Sequence, residues 1–145
     1  MAETLAETIR NDLNSARRER DKLRTTVLTT MLSEIRNREI EVGRGLKDDE
    51  VVDVVNRQIK RRREAAEQMR AGGREELAEK EDREAELLQP YMPPALDAEQ
   101  VRAMAREAID GGADNVGAVM GRLMPRIKGR FDGGEANRIV REELG

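Results

Sequence analysis

The chain has 145 residues and a net charge of −3, with 39% charged and 37% hydrophobic side chains, one Tyr, one Phe, and no Trp, Cys or His. That inventory excludes disulfides and thiolate chemistry, and it removes both the commonest general base and the commonest metal ligand. So few aromatics also exclude a large globular core, leaving the composition of amphipathic helices packed with aliphatic side chains and Met.

Leu5, Ile9 and Leu13, spaced by four, predict a first helix that ends near Arg17, Arg18 and Arg20, where cations suit the negative end of the helix dipole. A second helix is expected from Asp21 to Val42, its core face carrying Leu23, Val27, Leu28, Met31, Leu32 and Ile35, with Gly43-Arg44-Gly45 as its stop. Asp48 or Asp49 is the expected N-cap of a third helix, which opens on Val51, Val52, Val54, Val55 and Ile59. Its middle is the densest basic run of the chain: Arg57, Lys60, Arg61, Arg62 and Arg63. Two readings stand for that run: a solvated face of ion pairs, Arg57 with Asp53 among them, or a patch for RNA or a protein partner. Gly72-Gly73 closes the helix. A fourth, from Arg74 to Gln89, alternates in charge and reads as an exposed helix steadied by ion pairs. Its carboxylates lack the apolar surroundings that would separate their pKa values for acid–base work.

Pro90, Pro93 and Pro94 then predict a non-helical boundary, with Tyr91 and Met92 packing the joint. The expected organisation is an N-terminal helical subdomain (residues 1–89), a Pro-rich linker (90–96) and a C-terminal subdomain (97–145). In the last part, Asp97 and Gln100 form a capping box before a helix on Val101, Met104, Ala105, Ala108 and Ile109. Asn115 caps a sixth helix, Val116–Met124, expected to break at Pro125; a seventh, from about Gly134 to Leu144, uses Ala136, Ile139, Val140 and Leu144. The fold class expected is all-α, with a longer N-terminal helical unit and a C-terminal three-helix bundle.

The sixth helix poses the functional question. Val116, Met120, Leu123 and Ile127 make its apolar stripe, and Gly117 and Gly121 are expected to sit beside that stripe. Two helical glycines cost about 1 kcal/mol each relative to Ala. Either a neighbouring helix packs closely on them, or they form a bare strip for a ligand backbone. Arg122 and Arg126 precede a glycine-centred bend, Lys128-Gly129-Arg130, and Arg138 and Arg141 follow it. Cations and exposed backbone N–H groups ahead of a helix N-terminus suit phosphate, and Asn137 adds a hydrogen bond for a sugar or base edge. Phe131 is the one aromatic nearby, so folded RNA shape is the expected target rather than splayed bases.

Four segments, SEIRNREIE (Ser33–Glu41), GREELAEKE (Gly73–Glu81), LLQPYMPPAL (Leu87–Leu96) and GAVMGRLMPRIKGRFDG (Gly117–Gly133), with Asn137 and Val140 after them, resemble the GatB/YqeY family. Its members are stand-alone relatives of the C-terminal tail of the GatB component of the glutamine-dependent aspartyl/glutamyl-tRNA amidotransferase. The resemblance covers nearly the whole chain and implies two helical subdomains. Because the related tail helps hold tRNA near its elbow, it also implies RNA contact. The residues placed in that contact are Gly117, Gly121, Arg122, Arg126, Lys128, Gly129, Arg130, Asn137 and Arg138. No catalytic residue, metal ligand or cofactor is implied, although the family label is carbon–nitrogen ligase with glutamine as amido-N-donor. Ser15 and Ser33 lie in helices without a base to activate them.

The expected function is therefore a non-catalytic tRNA-binding accessory module, with tRNA or another structured RNA as partner. The alternative is a protein–protein adaptor working through the N-terminal helices. No apolar run approaches the roughly 20 residues a bilayer needs and no signal-peptide h-region is present, so the chain is expected in the cytoplasm without membrane association.

Overall fold

Short polar side chains set most helix starts in the computed structural model, which describes residues 3–145 and is all-α, without a strand among those residues. Contacts divide the chain into a first unit ending at Met92 and a second running from Pro93 to Gly145. The first contains α1 (Leu5–Arg18), α2 (Lys22–Val42), α3 (Asp48–Ala71), α4 (Glu75–Leu88) and a 3-10 turn (Gln89–Tyr91). The second contains α5 (Ala98–Asp110), α6 (Val116–Ile127) and α7 (Gly133–Leu144).

In the first unit Thr4 and Glu7 close a capping box on α1, and Asp21 accepts the Arg24 N–H at 3.1 Å to start α2. Gly43, at φ 74, ends α2 in the left-handed region that a side chain would strain. The expected cap of α3 is corrected: Lys47 is the N-cap residue, and Asp48 is already helical. The Asp48 carboxylate instead accepts the Leu5 N–H at 3.0 Å, satisfying an orphan donor of α1 across the fold. Ile9, Leu13, Val27, Leu28, Met31, Ile35, Val51, Val55, Leu88 and Met92 are among the buried residues of the core.

The fourth helix departs from expectation. It is not an exposed, self-paired helix, because Ala78, Ala85 and Leu88 are fully buried and its acids reach across to α3. Alanines at 66, 78 and 85 let the two helices approach closely. Arg62 pairs with Glu84 and, at 3.7 Å, with Glu81; Arg63 and Arg70 both hold Asp82, at 3.0 and 2.6 Å. The basic run is thus divided, with Arg62 and Arg63 turned to α4 while Arg57, Lys60 and Arg61 are exposed. After Leu88 the chain does not break at Pro90 but tightens into the 3-10 turn. Proline is admissible at the start of a turn, where its missing N–H is not needed. Met92 is buried in this first core, and the Tyr91 hydroxyl donates to Asp12 at 2.5 Å.

In the second unit the Asp97/Gln100 capping box starts α5, Asn115 caps α6 through the Ala118 N–H at 2.9 Å, and Asp132 caps α7 through the Glu135 N–H at 2.9 Å. The core is small and dense: Val101, Ala105, Val119, Leu123, Ile127, Ala136, Ile139 and Val140 are all essentially inaccessible. Arg102 reaches Glu142 and Glu143, and Arg106 also holds Glu143, tying α5 to α7. The predicted break at Pro125 does not occur, and α6 continues to Ile127. Pro125 falls in the last turn, so one ladder bond is lost while burial of Leu123 and Ile127 holds both sides of the ring.

Candidate nucleic-acid interface

The face that α6 turns to solvent is fixed by the face it buries. Val119, Leu123 and Ile127 are its fully buried residues, whereas Val116 and Met120 are only half-buried. At about 100° per residue this core face puts Gly117 and Gly121 on the far side of the helix. The expectation that they sit beside the stripe is corrected accordingly. Both are exposed. A Cβ built on Gly121 would meet nothing within 4 Å, and one on Gly117 only the Asn115 Oδ1, at 3.4 Å. No neighbouring helix approaches either glycine, so helix–helix packing does not explain them.

Met124, Pro125 and Lys128 extend this face, all three exposed. Pro125 has no N–H to donate to the Gly121 carbonyl, which therefore lacks its usual helical donor on the same bare side. Met124 and Pro125 escaped the sequence reading. Placing Val119 at the core centre would have rotated them onto the glycine face.

The other expected contact residues are dispersed. Arg122 donates to the Ala108 and Gly111 carbonyls, both at 3.1 Å, at the negative end of α5. Gly111 makes room for it, since a Cβ there would lie 2.9 Å from the guanidinium. Arg126 faces Glu107 at 3.5 Å with half its side chain exposed. Gly129, at φ 73, is a structural requirement of the turn, in which Arg130 and Phe131 both donate backbone N–H groups to Ile127. Arg130 donates to the Pro94 carbonyl at 3.0 Å and the Arg126 carbonyl at 3.1 Å, while its own carbonyl accepts the Leu96 N–H at 2.8 Å. On α7, Arg138 sits between Glu135 and Glu142, and its hydrogen bond holds the Glu135 carboxyl below the usual range. Asn137 accepts from Arg141 at 2.7 Å. The structure thus places Gly117 and Gly121 on one exposed face of α6, with Lys128 at the C-terminal end of that helix, and commits most of the arginines to the fold.

Residues 6–144 match the protein family described as Yqey-like protein. Three relatives are each named "Altered inheritance of mitochondria protein 41, mitochondrial". The protein from Pyrenophora tritici-repentis is 29% identical over 92% of this chain and 77% of its own length. That from Candida glabrata is 30% identical over 69% of this chain and 57% of its own. The one from Lachancea thermotolerans is 32% identical over 63% of this chain and 51% of its own. The chain therefore spans from about half to just over three-quarters of the length of these relatives. Their names overturn the cytoplasmic placement expected from the sequence. The missing h-region bears only on secretion, whereas mitochondrial targeting uses amphipathic, Arg-rich segments that hydropathy does not reveal. Among the described residues no helix is long and apolar enough to cross a membrane.

Proposed function

The chain belongs to the YqeY-like family, and on that premise we propose that it is a non-catalytic tRNA-binding module whose contact face is the solvent side of α6. One observation carries the reading: Gly121 in mid-helix and Gly117 in the first turn are both exposed, with open space at the Cβ position of Gly121 and only the Asn115 cap oxygen near that of Gly117. Gly121 lowers helix stability by about 1 kcal/mol and Gly117, in the first turn, by less; neither serves internal packing, and on this reading their use lies outside the chain. A bare helical strip lets a sugar–phosphate backbone approach to van der Waals distance. Lys128 supplies charge at the end of the strip, and the Gly121 carbonyl supplies an acceptor suited to a 2′-hydroxyl. With so many arginines tied to carboxylates and carbonyls, contact should rest on shape and a few phosphates, and the affinity should be modest.

Fluorescence anisotropy with a bulk tRNA fraction tests this. The double variant Gly117→Leu/Gly121→Leu should lose binding while keeping its helical content, and Lys128→Ala should lower the slope of log K against log salt by about 1. Unchanged tRNA affinity in both variants would remove the proposal. Glutamine-dependent ligase chemistry gains no support: Ser15 accepts a hydrogen bond from Arg18 at 3.1 Å instead of donating to a base.

A further inference from the structure

A different surface in the first unit stands independently of the α6 reading. α1 and α2 leave an open groove of about 320 Å³, with Arg10 and Arg17 on one side, Ser33 and Arg36 on the other, and Leu13 and Leu32 at its base. Among the described residues none of these three arginine side chains makes a hydrogen bond or ion pair, and all three are exposed. That sets them apart from Arg62, Arg63, Arg70, Arg102 and Arg138, each of which grips at least one carboxylate. One turn beyond Arg36 on the same side of α2 stands Ile40, which at 70% exposure is the most exposed large hydrophobic residue described. Nothing in the fold uses it.

We propose that this groove docks an acidic amphipathic helix of a partner protein, its carboxylates meeting Arg10, Arg17 and Arg36 and its apolar side chains lying on Leu32 and Ile40. Arg10 and Arg17 are two turns apart, about 10 Å along α1, the spacing of acids seven residues apart on a partner helix. Arginine also binds carboxylate in a planar fork, which gives register as well as attraction. Leu13 and Leu32 between the cations, with Ile40 exposed beyond them, favour an amphipathic peptide over a phosphate backbone, which would gain nothing by covering them; Glu39, which also lines the groove, already accepts the Leu46 N–H at 3.0 Å.

The probe is a fluorescein-labelled peptide of about 15 residues with Glu seven apart and Leu four apart on one face, long enough to form a helix on binding. It is measured against the full chain beside a Lys-for-Glu version, an RNA hairpin and anionic phosphatidylserine vesicles. The acidic peptide should bind. The triple variant Arg10→Ser/Arg17→Ser/Arg36→Ser and the single variant Ile40→Asp should each weaken it about tenfold or more. Removing three charges elsewhere, by Arg57→Ser/Lys60→Ser/Arg61→Ser, should leave it within about twofold. The proposal is overturned if the natively folded chain ignores the acidic peptide or prefers the Lys version. It is overturned equally if both charge deletions weaken binding alike, or if the groove variants lose RNA or vesicle binding instead.

Discussion

Replacing Gly121 with Ala should make the protein more stable and a poorer RNA binder. The added methyl meets nothing within 4 Å, and Gly121 is not among the glycines with positive φ, so neither clash nor strain opposes the change. Helix propensity then predicts a gain of about 1 kcal/mol. For a unit of this size that is roughly 4–8 °C in Tm. A ligand backbone lying against the strip would be pushed outward by the same methyl, and a loss of about 1.4 kcal/mol, tenfold in Kd, is expected. Far-UV circular dichroism melts and tRNA anisotropy on one preparation read both numbers. Opposite signs are the signature. A fall in Tm would refute the geometry of the exposed face, and a rise in Tm with unchanged tRNA affinity would refute the use assigned to it. Gly117→Ala should gain less, because the Asn115 cap oxygen 3.4 Å away must yield.

Two further tests address the scaffold around that face. Arg122→Ala removes two hydrogen bonds from the end of α5 and should lower stability by about 1 kcal/mol in urea titration. Gly111→Ala should be costly in the parent, where its Cβ meets the guanidinium at 2.9 Å, and less so beside Arg122→Ala. In the first unit, Glu50 is held down to about 2 by hydrogen bonds from Arg44 and from the Lys47 backbone N–H. Its folded pKa lies below the unfolded value of about 4.3, so its stabilisation is present above that value and lost as pH falls through about 2. Glu50→Gln should therefore be less stable than the parent at neutral pH and indistinguishable from it once the parent carboxylate is protonated. A constant difference across the acid range would contradict this.

Most signals confined to one turn were legible in the sequence, the cap of α3 excepted, where Lys47 and not Asp48 or Asp49 takes the position. Asp21, Asp97 and Asn115 start helices wherever they stand, because a cap is a bond between near neighbours. Signals that depend on a partner element were not. The acids of α4 read as self-paired because nothing in their spacing says that Arg62 and Arg70 lie opposite, and Glu84 is buried only by that meeting. Pro125 read as a break because its position in the last turn depends on Ile127 being held by the core. The site followed the same pattern. The glycines stood out in the sequence, but their orientation hung on whether Val119 or Val116 led the stripe. The cations beside them looked available because Ala108, Gly111 and Pro94, the carbonyls that engage Arg122 and Arg130, are remote in sequence.

The hydrogen bond from Tyr91 to Asp12 turns the chain's poverty in aromatics into a reporter. Tyr91 is the single tyrosine and belongs to the first unit, and the second has only Phe131. Tyrosine absorption and emission therefore follow the first unit alone, while circular dichroism follows both units. Burial and the Asp12 carboxylate push the phenol above its ordinary range, so in alkaline solution the tyrosinate band should emerge when the first unit opens, not before. Comparing the optical and helical melting curves would measure, without any label, how far the two units unfold independently.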